Sequence, residues 1–466
     1  MIHVLMWLLG CTNSDKPAVP SDVDFDTADP YVRIDSCDLS ALQILDSGST
    51  VDLGGFSVVP TTSGFLIETA RGVVFEGLED WLTVSLVDRE VDEYQGSFSI
   101  DYESQLDCIS PQATDISSSE SGLFIEGEFL DEGCDDIAFS MQMCLSSEDR
   151  LFFDIDISAP EVGHTEEYRV SLNQVSTPEE KFFGLGEQFP YSQLNLKGRT
   201  IPVLSEEGGV GRGHPEVTQF INQFFDGSGG EENSTYFAMP FYMTDSSTGF
   251  FLHNTELSEF SFQEEQTSIA VDSTWMKGEF VTGESSLDVL TAFTEYSGRM
   301  SAPPEWIDNG AIIALARPLD DGRGYVDDLL SHDVQIAGVW NQTWSGVNRT
   351  FIGEQVLWNW VQGSYDHPNW NDWVDGLNDD GIEVLCYVNS MFLDVTGHES
   401  QPDRNLYLEG VEGGYFVHDE SGQVLKLPVT AFEVALLDLT NPEARQWMRT
   451  VIREEMIDNA GCAGWM

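Results

Sequence analysis

Basic residues are scarce in this sequence of 466 residues, which has 20 Lys and Arg against 81 Asp and Glu and a formal net charge of −61. A charge of that sign repels the phosphate backbone of nucleic acids and the surface of anionic membranes, so neither is expected as a partner. The carboxylates are dispersed along the chain rather than gathered into a tail. This distribution is typical of a solvated acidic surface.

Long apolar runs are also missing. The apolar segment at the start, MIHVLMWLLGC, is far shorter than the roughly 20 residues that a membrane-spanning helix needs. We interpret it as an export signal in which LLGC resembles a lipobox and Cys11 carries the lipid. The alternative is a buried apolar N-terminus, because no Lys or Arg precedes the run. Residues 1–30 are therefore predicted to be a lipoprotein signal and acidic tether, with the lipid as the chain's only membrane contact and a periplasmic or cell-surface location.

Sequence motifs for metals, phosphates and serine nucleophiles are absent. The chain has no CxxC, no paired His at metal-ligand spacing and no GxSxG. The three glycines of GGVGRG lack the preceding strand and following helix of a phosphate-binding loop. We therefore expect no metal site and no cofactor.

The cysteines fall into two groups. Export predicts two disulfides among four cysteines in the first third of the mature chain, and three pairings are open: the four are Cys37, Cys108, Cys134 and Cys144. Cys386 and Cys462 lie in the apolar runs IEVLCYV and GCAGWM. They are predicted to be unpaired, buried small hydrophobic residues.

Residues 31–285 are dominated by short alternating segments such as GFLIETA, WLTVSLV and LFFDIDI, separated by Gly, Ser, Asp and Asn. This pattern predicts a large antiparallel β-sandwich. The segment SLDVLTAFTEYSGRM has helical spacing and ends at Gly298, and SAPPEW stiffens the chain after it. Residues 286–305 are therefore predicted to be a linker helix and a Pro-rich junction.

From residue 306 onward the periodicity changes. Continuous apolar runs, GAIIALA, IAGVWNQ and IEVLCYV, alternate with helical segments. The last helix, in NPEARQWMRTVIREEMIDNAG, has Asn441 as its cap, Pro442 in its first turn and Gly461 at its end. Residues 306–466 are therefore predicted to be the first half of a (β/α)8 TIM barrel that stops at the start of strand 4.

Several of these segments together resemble glycoside hydrolase family 31, namely FFGLGEQF, LTAFTEYSGRMSAPPEW, GVWNQTWSG, DLTNPEARQWM and GCAGWM. The resemblance implies a galactose-mutarotase-like β-sandwich before a TIM barrel, and a glycosidase that cleaves α-glycosidic bonds with retention. It implies a carbohydrate substrate. It also implies that the loop carrying Glu187 leans over the mouth of the barrel and helps to shape the sugar site.

Within that family, the segment NQTWSGVNRTFIGEQVLWNW resembles the sulfoquinovosidases. The resemblance implies that Gln342 contacts the sugar and that the indole N–H of Trp358 faces a sulfonate. Where the pattern has the Arg that pairs with the sulfonate, this chain has Gln355, which removes a charge-assisted contact. Arg349 is either a replacement for it or an ordinary loop Arg. An α-glucoside and a sulfoquinovoside therefore both remain as substrates.

The predicted substrate-binding set has six members, and most have a plain structural alternative. Trp344 and Trp358, like Trp360, could pack beneath a long loop, Asn389 could cap the next loop, and Glu187 could bond local backbone N–H groups. A polar side chain at the end of an apolar strand has no obvious core role, which favours Gln342. The set is Gln342, Trp344, Gln355, Trp358, Asn389 and Glu187.

Retaining catalysis needs two carboxyls about 5–5.5 Å apart. In the matching enzymes the nucleophile lies on strand 4, within a couple of positions after the Gly-Trp-Met that here is Gly464, Trp465 and Met466. Both catalytic carboxylates are therefore expected beyond Met466, and no residue of the sequence is assigned a catalytic role. The alternative function is a non-catalytic, lipid-anchored carbohydrate-binding protein, or a decayed gene fragment.

Overall fold

The computed structural model describes residues 36–466, apart from residues 78, 95–96, 163–165, 189–193, 207, 210, 212–213, 225–228, 231, 301, 316–318, 352, 420, 430 and 466. The predicted signal, the tether and Cys11 lie outside the described residues. The described chain forms two compact units that divide between Arg299 and Met300.

The first unit is built almost entirely of β-strands. Its α-helices, among the residues that the structure describes, are α1, Pro215–Asn222, and α2, Ser286–Ser297. Its strands β1 to β19 are, in chain order, Gln43–Ile44, Val51–Leu53, Phe56–Thr61, Gly64–Thr69, Gly72–Glu76, Leu82–Tyr94, Ser97–Cys108, Pro111–Ser118, Gly122–Phe129, Ala138–Ser147, Arg150–Ser158, Glu166–Val175, Phe182–Gly186, Thr200–Val203, Ala238–Thr244, Thr248–Leu252, Ser258–Phe262, Gln266–Asp272 and Trp275–Thr282.

These strands form two large antiparallel sheets that share one core. A nine-stranded sheet has the order β1-β8-β9-β10-β11-β19-β16-β15-β13, a six-stranded sheet has the order β14-β17-β18-β12-β6-β7, and β2 to β5 form a separate meander. Aromatic rings join the two large sheets: Phe182 of the first lies 4.6 Å from Phe262 of the second, between ring centroids. The predicted antiparallel β-rich domain is confirmed, because alternating side chains of both sheets fill this core.

The helix α2 belongs to this unit. Its apolar face, formed by Val289, Ala292 and Phe293, packs on the nine-stranded sheet. The ring of Phe293 stacks on Phe241 with centroids 4.1 Å apart. The sequence placed this helix in a linker over 286–305; instead, its amphipathic face binds it to the sheet, and the division between the units comes after it.

Two disulfides link segments of the first unit. Cys37 pairs with Cys144 and Cys108 pairs with Cys134, with Cα–Cα distances of 5.7 and 6.0 Å. The first joins the segment before β1 to β10, and the second joins the end of β7 to the loop after β9. Of the three pairings that the sequence allows, the structure has this one.

The second unit contains a parallel sheet with the order β20-β21-β24-β28. A hairpin, β22-β23, and a small sheet, β25-β27-β26, follow the ends of the parallel strands. Its strands β20 to β28 are Ala311–Leu315, Ile336–Asn341, Val347–Thr350, Gly353–Val356, Glu383–Cys386, Met391–Phe392, Lys426–Val429, Phe432–Leu436 and Gly464–Trp465. Its helices α3 to α6 are Leu319–Ser331, Trp370–Asp379, Leu406–Gly413 and Pro442–Val451, and α6 continues as a π-helical segment, Ile452–Asn459.

In the second unit, strands and helices alternate as the sequence predicted, and α6 begins and β28 is reached at the residues that the sequence indicated. The side chain of Asn441 accepts the N–H of Glu443 at 2.9 Å and so caps α6, with Pro442 next to it. Gly461 has a φ of 69°, which favours glycine, at the turn into β28. Helices α3 and α4 connect neighbouring parallel strands, as expected for the beginning of a β/α barrel.

Cys386 and Cys462 are buried as predicted, but the prediction that they are unpaired is wrong. They form a disulfide with a Cα–Cα distance of 5.9 Å. The reason is the strand order: β24 and β28 are parallel neighbours in which Leu385 is level with Gly464 and Cys386 with Trp465. Cys386 ends one strand and Cys462 precedes the other, so 76 residues of chain separate two thiols that the sheet brings together.

Candidate functional site

A cavity of about 470 Å³ lies where β21 and β24 end. Because these strands are parallel, their carboxyl ends meet at the same edge of the sheet, where ligands bind in α/β folds. Gln342 follows β21 directly and Tyr387 follows β24 directly, and both line the cavity. The hairpin β22-β23 contributes Gln355, and Phe432 comes from β27.

Three of the predicted substrate-binding residues line this cavity together: Gln342, Gln355 and Trp358. The half-buried ring of Trp358 meets Phe432 edge-on, with centroids 5.5 Å apart. The Oε1 of Gln355 is buried and has no hydrogen-bond partner among the residues that the structure describes. An aromatic wall and an unpaired amide oxygen facing one cavity are features of a site for a ligand with hydroxyl groups.

Trp344 and Asn389 support the cavity from behind rather than lining it. Trp344 is fully buried, and its indole N–H donates to the carbonyl oxygen of Tyr387 at 2.7 Å. Asn389 donates to the hydroxyl of Tyr387 at 3.1 Å, and its own Oδ1 accepts the N–H of Met391 at 2.8 Å. Trp360 also packs on Tyr387, with ring centroids 5.7 Å apart. These contacts fix Tyr387, which itself lines the cavity.

Glu187 lies in the first unit, directly after β13. Its side chain is exposed, and its backbone N–H donates to the carbonyl oxygen of Phe237 at 2.8 Å. This contact continues the pairing of β13 with β15. A role for Glu187 at the sugar site stays a prediction.

Arg349 lines the cavity within a group of carboxylates. Its guanidinium lies 2.7 Å from Glu399, 2.8 Å from Asp366 and 3.3 Å from Glu354. The hydrogen bonds that Arg349 donates to the carboxylates of Asp366 and Glu399 raise the pKa of Arg349, which stays fully charged. Asp366 also accepts the backbone N–H of Val347 at 2.9 Å, so it ties the hairpin to the segment that follows it. The positive charge of Arg349 is therefore already paired.

The sequence did not single out Asp366, His367, Tyr387 or Phe432, although all four line the cavity. Tyr387 had a usable signal, because it directly follows a predicted buried strand. For Asp366 and His367, which lie in a loop, and for Phe432, which lies on a short strand, we find no local pattern that marks them. Among the described residues, no cluster of three or more His, Cys, Asp or Glu is arranged to hold a metal ion.

His367 is buried against this cavity, and its Nε2 lies 2.6 Å from the carbonyl oxygen of Thr343. Because a carbonyl only accepts, Nε2 carries the proton and donates. Nδ1 is buried and has no partner in the described part of the chain. Burial lowers the pKa of His367 below its ordinary value of 6.5, so the folded protein holds the neutral ring.

Acid is expected to destabilise the protein through His367. Its pKa is lower in the folded state, so the unfolded state binds more protons below about pH 6.5, and stability falls as the pH falls through that region. The slope from one such group is at most about 1.4 kcal/mol per pH unit. Urea unfolding from pH 7 to 5 measures it, and His367→Asn should flatten the curve. His332→Asn is the control, because His332 is 73% exposed; equal slopes in all three proteins would contradict the prediction.

Comparisons with known proteins agree with the described fold. Residues 80–260 match the glycosyl hydrolase 31 N-terminal galactose mutarotase-like domain, and residues 316–466 match the TIM-barrel domain of glycosyl hydrolases family 31. A solved GH31 family sulfoquinovosidase from E. rectale, in complex with an aza-sugar inhibitor, has a TM-score of 0.75 at 24% identity. The match covers 88% of this chain and 58% of that one. At this identity the likeness shows the fold.

Two curated relatives are named sulfoquinovosidase. The one from Escherichia coli (strain K12) is 27% identical over 387 residues, which is 83% of this chain and 54% of the relative. The one from Agrobacterium fabrum is 28% identical over 300 residues, which is 64% of this chain and 43% of the relative. The chain thus spans about half the length of the curated relatives that it matches. Two matched domains of one family, in the order in which the chain folds them, show that the protein belongs to glycosyl hydrolase family 31.

Proposed function

We propose that this protein is an α-glycosidase that cleaves with retention and binds its sugar in the cavity of the second unit. One observation carries the proposal: a single cavity at the carboxyl ends of parallel barrel strands is lined by Gln342 and Trp358, which match the family pattern, and by Gln355, which stands where the pattern has an Arg. The relatives named sulfoquinovosidase support the reaction class. The substrate is an α-glucoside or a sulfoquinovoside.

The register of the sheet supports a nucleophile just beyond Met466. Cys386 is level with Trp465, so in the same register residues that follow Met466 would lie level with Val388 and Asn389, directly after Tyr387. Tyr387 lines the cavity. A carboxylate on that continuation would therefore face the bound sugar at the strand end, where barrel enzymes carry their catalytic groups. In the mechanism proposed here, this carboxylate attacks the anomeric carbon, and a second carboxyl protonates the leaving oxygen and then activates water.

The native protein from its source cell tests the proposal. Its hydrolysis of 4-nitrophenyl α-D-glucoside or the α-sulfoquinovoside, followed by proton NMR, should give the α-anomer of the sugar first. A peptide reading through Trp465 and Met466 into an Asp would locate the nucleophile. A β-anomer as first product would contradict retention. Sugar binding without any hydrolysis would support the non-catalytic carbohydrate-binding alternative instead.

We also propose that the protein is exported and held by a lipid on Cys11. The three disulfides of the described chain support export, because such bonds persist in oxidising compartments. Among the described residues, no helix is both long and apolar enough to cross a membrane. Labelling of the cells with a fatty acid that can be detected in gels should mark the protein, and Cys11→Ser should abolish the label. Label retained in Cys11→Ser would refute the anchor.

A further inference from the structure

A second cavity, of about 430 Å³, lies on the nine-stranded sheet of the first unit. It is lined by outward side chains of β9, β10, β11 and β19. Side chains alternate along these strands, and the intervening residues, such as Met141, Met143 and Phe153, are buried in the core. Farther along the same outward face, Val281 of β19 is covered by α2. The cavity therefore occupies a part of that face that α2 leaves uncovered.

The pairing of the four strands places the lining residues in two rows that run across the sheet. The first row contains, in order from β9 to β19, Phe124, Gln142, Asp154 and Lys277. In the neighbouring row, Ser140 lies opposite Asp156, and Asp156 lies opposite Trp275. Of the four lining strands, the outer two, β9 and β19, thus carry one aromatic ring each. Polar side chains lie between these rings.

The polar groups are fixed by one another. Gln142 donates to the Oδ2 of Asp154 at 2.8 Å and accepts the backbone N–H of Cys37 at 3.1 Å. The Lys277 ammonium lies 3.2 Å from the same Oδ2. The Cys37–Cys144 disulfide holds the segment that orients Gln142, because Cys144 lies on β10 as well. The lining of the cavity is therefore pre-organised.

One acceptor in this cavity remains unused. Asp154 is only 9% exposed, and its Oδ1 has no hydrogen-bond partner among the residues that the structure describes. A buried carboxylate oxygen without a donor is costly, and a hydroxyl group of a ligand supplies the missing donor. The unpaired Oδ1 of Asp154 therefore favours a ligand that donates a hydrogen bond.

The chemistry of the lining selects among ligand classes. The Lys277 ammonium disfavours a metal cation, and Asp154 with Asp156 disfavours an anion. Phe124 and Trp275 lie on strands three inter-strand spacings apart, roughly 14 Å, which is longer than one sugar ring. Aromatic rings at both sides, with amide, ammonium and carboxylate groups between them, match a chain of sugars with hydroxyl edges and apolar faces. The cavity volume is within the range of small-molecule sites.

We propose that this cavity is an accessory binding site for a neutral oligosaccharide of at least two rings. The site stands independently of the proposed function, because none of its residues belongs to the cavity of the second unit. It would hold a glycan chain against the nine-stranded sheet of the first unit.

Calorimetric titration of the full chain with maltotriose tests this site. Trp358→Ala serves as the background, because it removes an aromatic ring that lines the cavity of the second unit. Saturable binding should persist in Trp358→Ala and weaken at least tenfold when Trp275→Ala is added. Adding Phe224→Ala instead should have no effect, because Phe224 is an exposed aromatic residue of the same unit outside this cavity. Asp154→Asn should also weaken binding while it preserves the shape of the site.

Three results would overturn the proposal. The first is the absence of binding in Trp358→Ala. The second is binding that Trp275→Ala and Asp154→Asn leave unchanged. The third is tighter binding of tri-galacturonic acid than of maltotriose, which would mean an anion site. If Trp275→Ala lowers the unfolding midpoint so far that it cannot be titrated, Phe124→Ala provides the same comparison from the other side of the cavity.

Discussion

Methyl α-D-glucoside should bind to the cavity of the second unit at least tenfold more tightly than methyl α-sulfoquinovoside. The physical reason is the local charge. Arg349 brings one positive charge, and Asp366, Glu354 and Glu399 surround it with three negative charges within 3.3 Å. A sulfonate entering this cavity would meet an excess of negative charge. The neutral amide of Gln355 would not offset that charge as an Arg at the same position would. A tenfold difference in affinity corresponds to about 1.4 kcal/mol of binding free energy. Repulsion between like charges at a partly buried site is strong enough to supply it.

The substitution Gln355→Arg should reduce or reverse this preference. A guanidinium at position 355 would offer the sulfonate a bidentate partner, and it would also offset part of the negative charge around Arg349. Gln335→Arg is the matched control, because it adds the same charge at an exposed site next to the amino end of β21, opposite the cavity. Titration calorimetry of the three proteins with both glycosides measures the effect. Tighter binding of the sulfoquinovoside by the unaltered protein would refute the charge argument.

Loss of the Cys386–Cys462 disulfide is expected to destabilise the second unit by about 4 kcal/mol, as estimated from the loop-closure entropy of a cross-link of this span. The bond closes a loop with a sequence separation of 76. Both cysteines are almost fully buried, at 0% and 3% exposure. The double substitution Cys386→Ser and Cys462→Ser also places two hydroxyls in an apolar core, which adds to the loss. Urea unfolding, read by tryptophan fluorescence, measures it.

Two measurements make this result specific. The corresponding pair of substitutions at Cys108 and Cys134 removes a cross-link from the first unit, so it should leave the unfolding of the second unit unchanged. Thiol counting in denaturant should find no more than the one thiol of Cys11, because the other six of the seven cysteines are paired. Two additional reactive thiols, or an unchanged midpoint in the Cys386 and Cys462 variant, would contradict the disulfide.

The sequence predicted the architecture well because the architecture depends on local periodicity. Alternation with period two marked the antiparallel sheets, and continuous apolar runs between helices marked β20, β21 and β24. The helix α2 was recognised, but its assignment to the first unit was not. It covers β19, which directly precedes it, and Phe241 of β15, which lies farther back in the chain. Amphipathic spacing shows that a helix packs on something and does not show on what.

The candidate site was predictable only in part. Gln342 and Trp358 stood out through a family pattern in one contiguous segment. Asp366 and Phe432 reach the same cavity from other loops and strands, and their positions depend on how the hairpin and the small sheet fold back. Trp344 was predicted to contact the sugar, whereas its N–H is taken up by the backbone of Tyr387. The Cys386–Cys462 pair was missed for the same reason, since only the order of parallel strands brings the two thiols together.

The most direct test of the account is a calorimetric titration of methyl α-D-glucoside into the full chain and into Trp358→Ala. A single sugar ring is too short to span the accessory site of the first unit, so it reports on the cavity of the second. We predict saturable binding at one site that Trp358→Ala weakens at least tenfold. Phe351→Ala should change nothing, because Phe351 is 85% exposed and does not line the cavity. Equal affinity in all three proteins would show that the sugar binds elsewhere and would contradict the account.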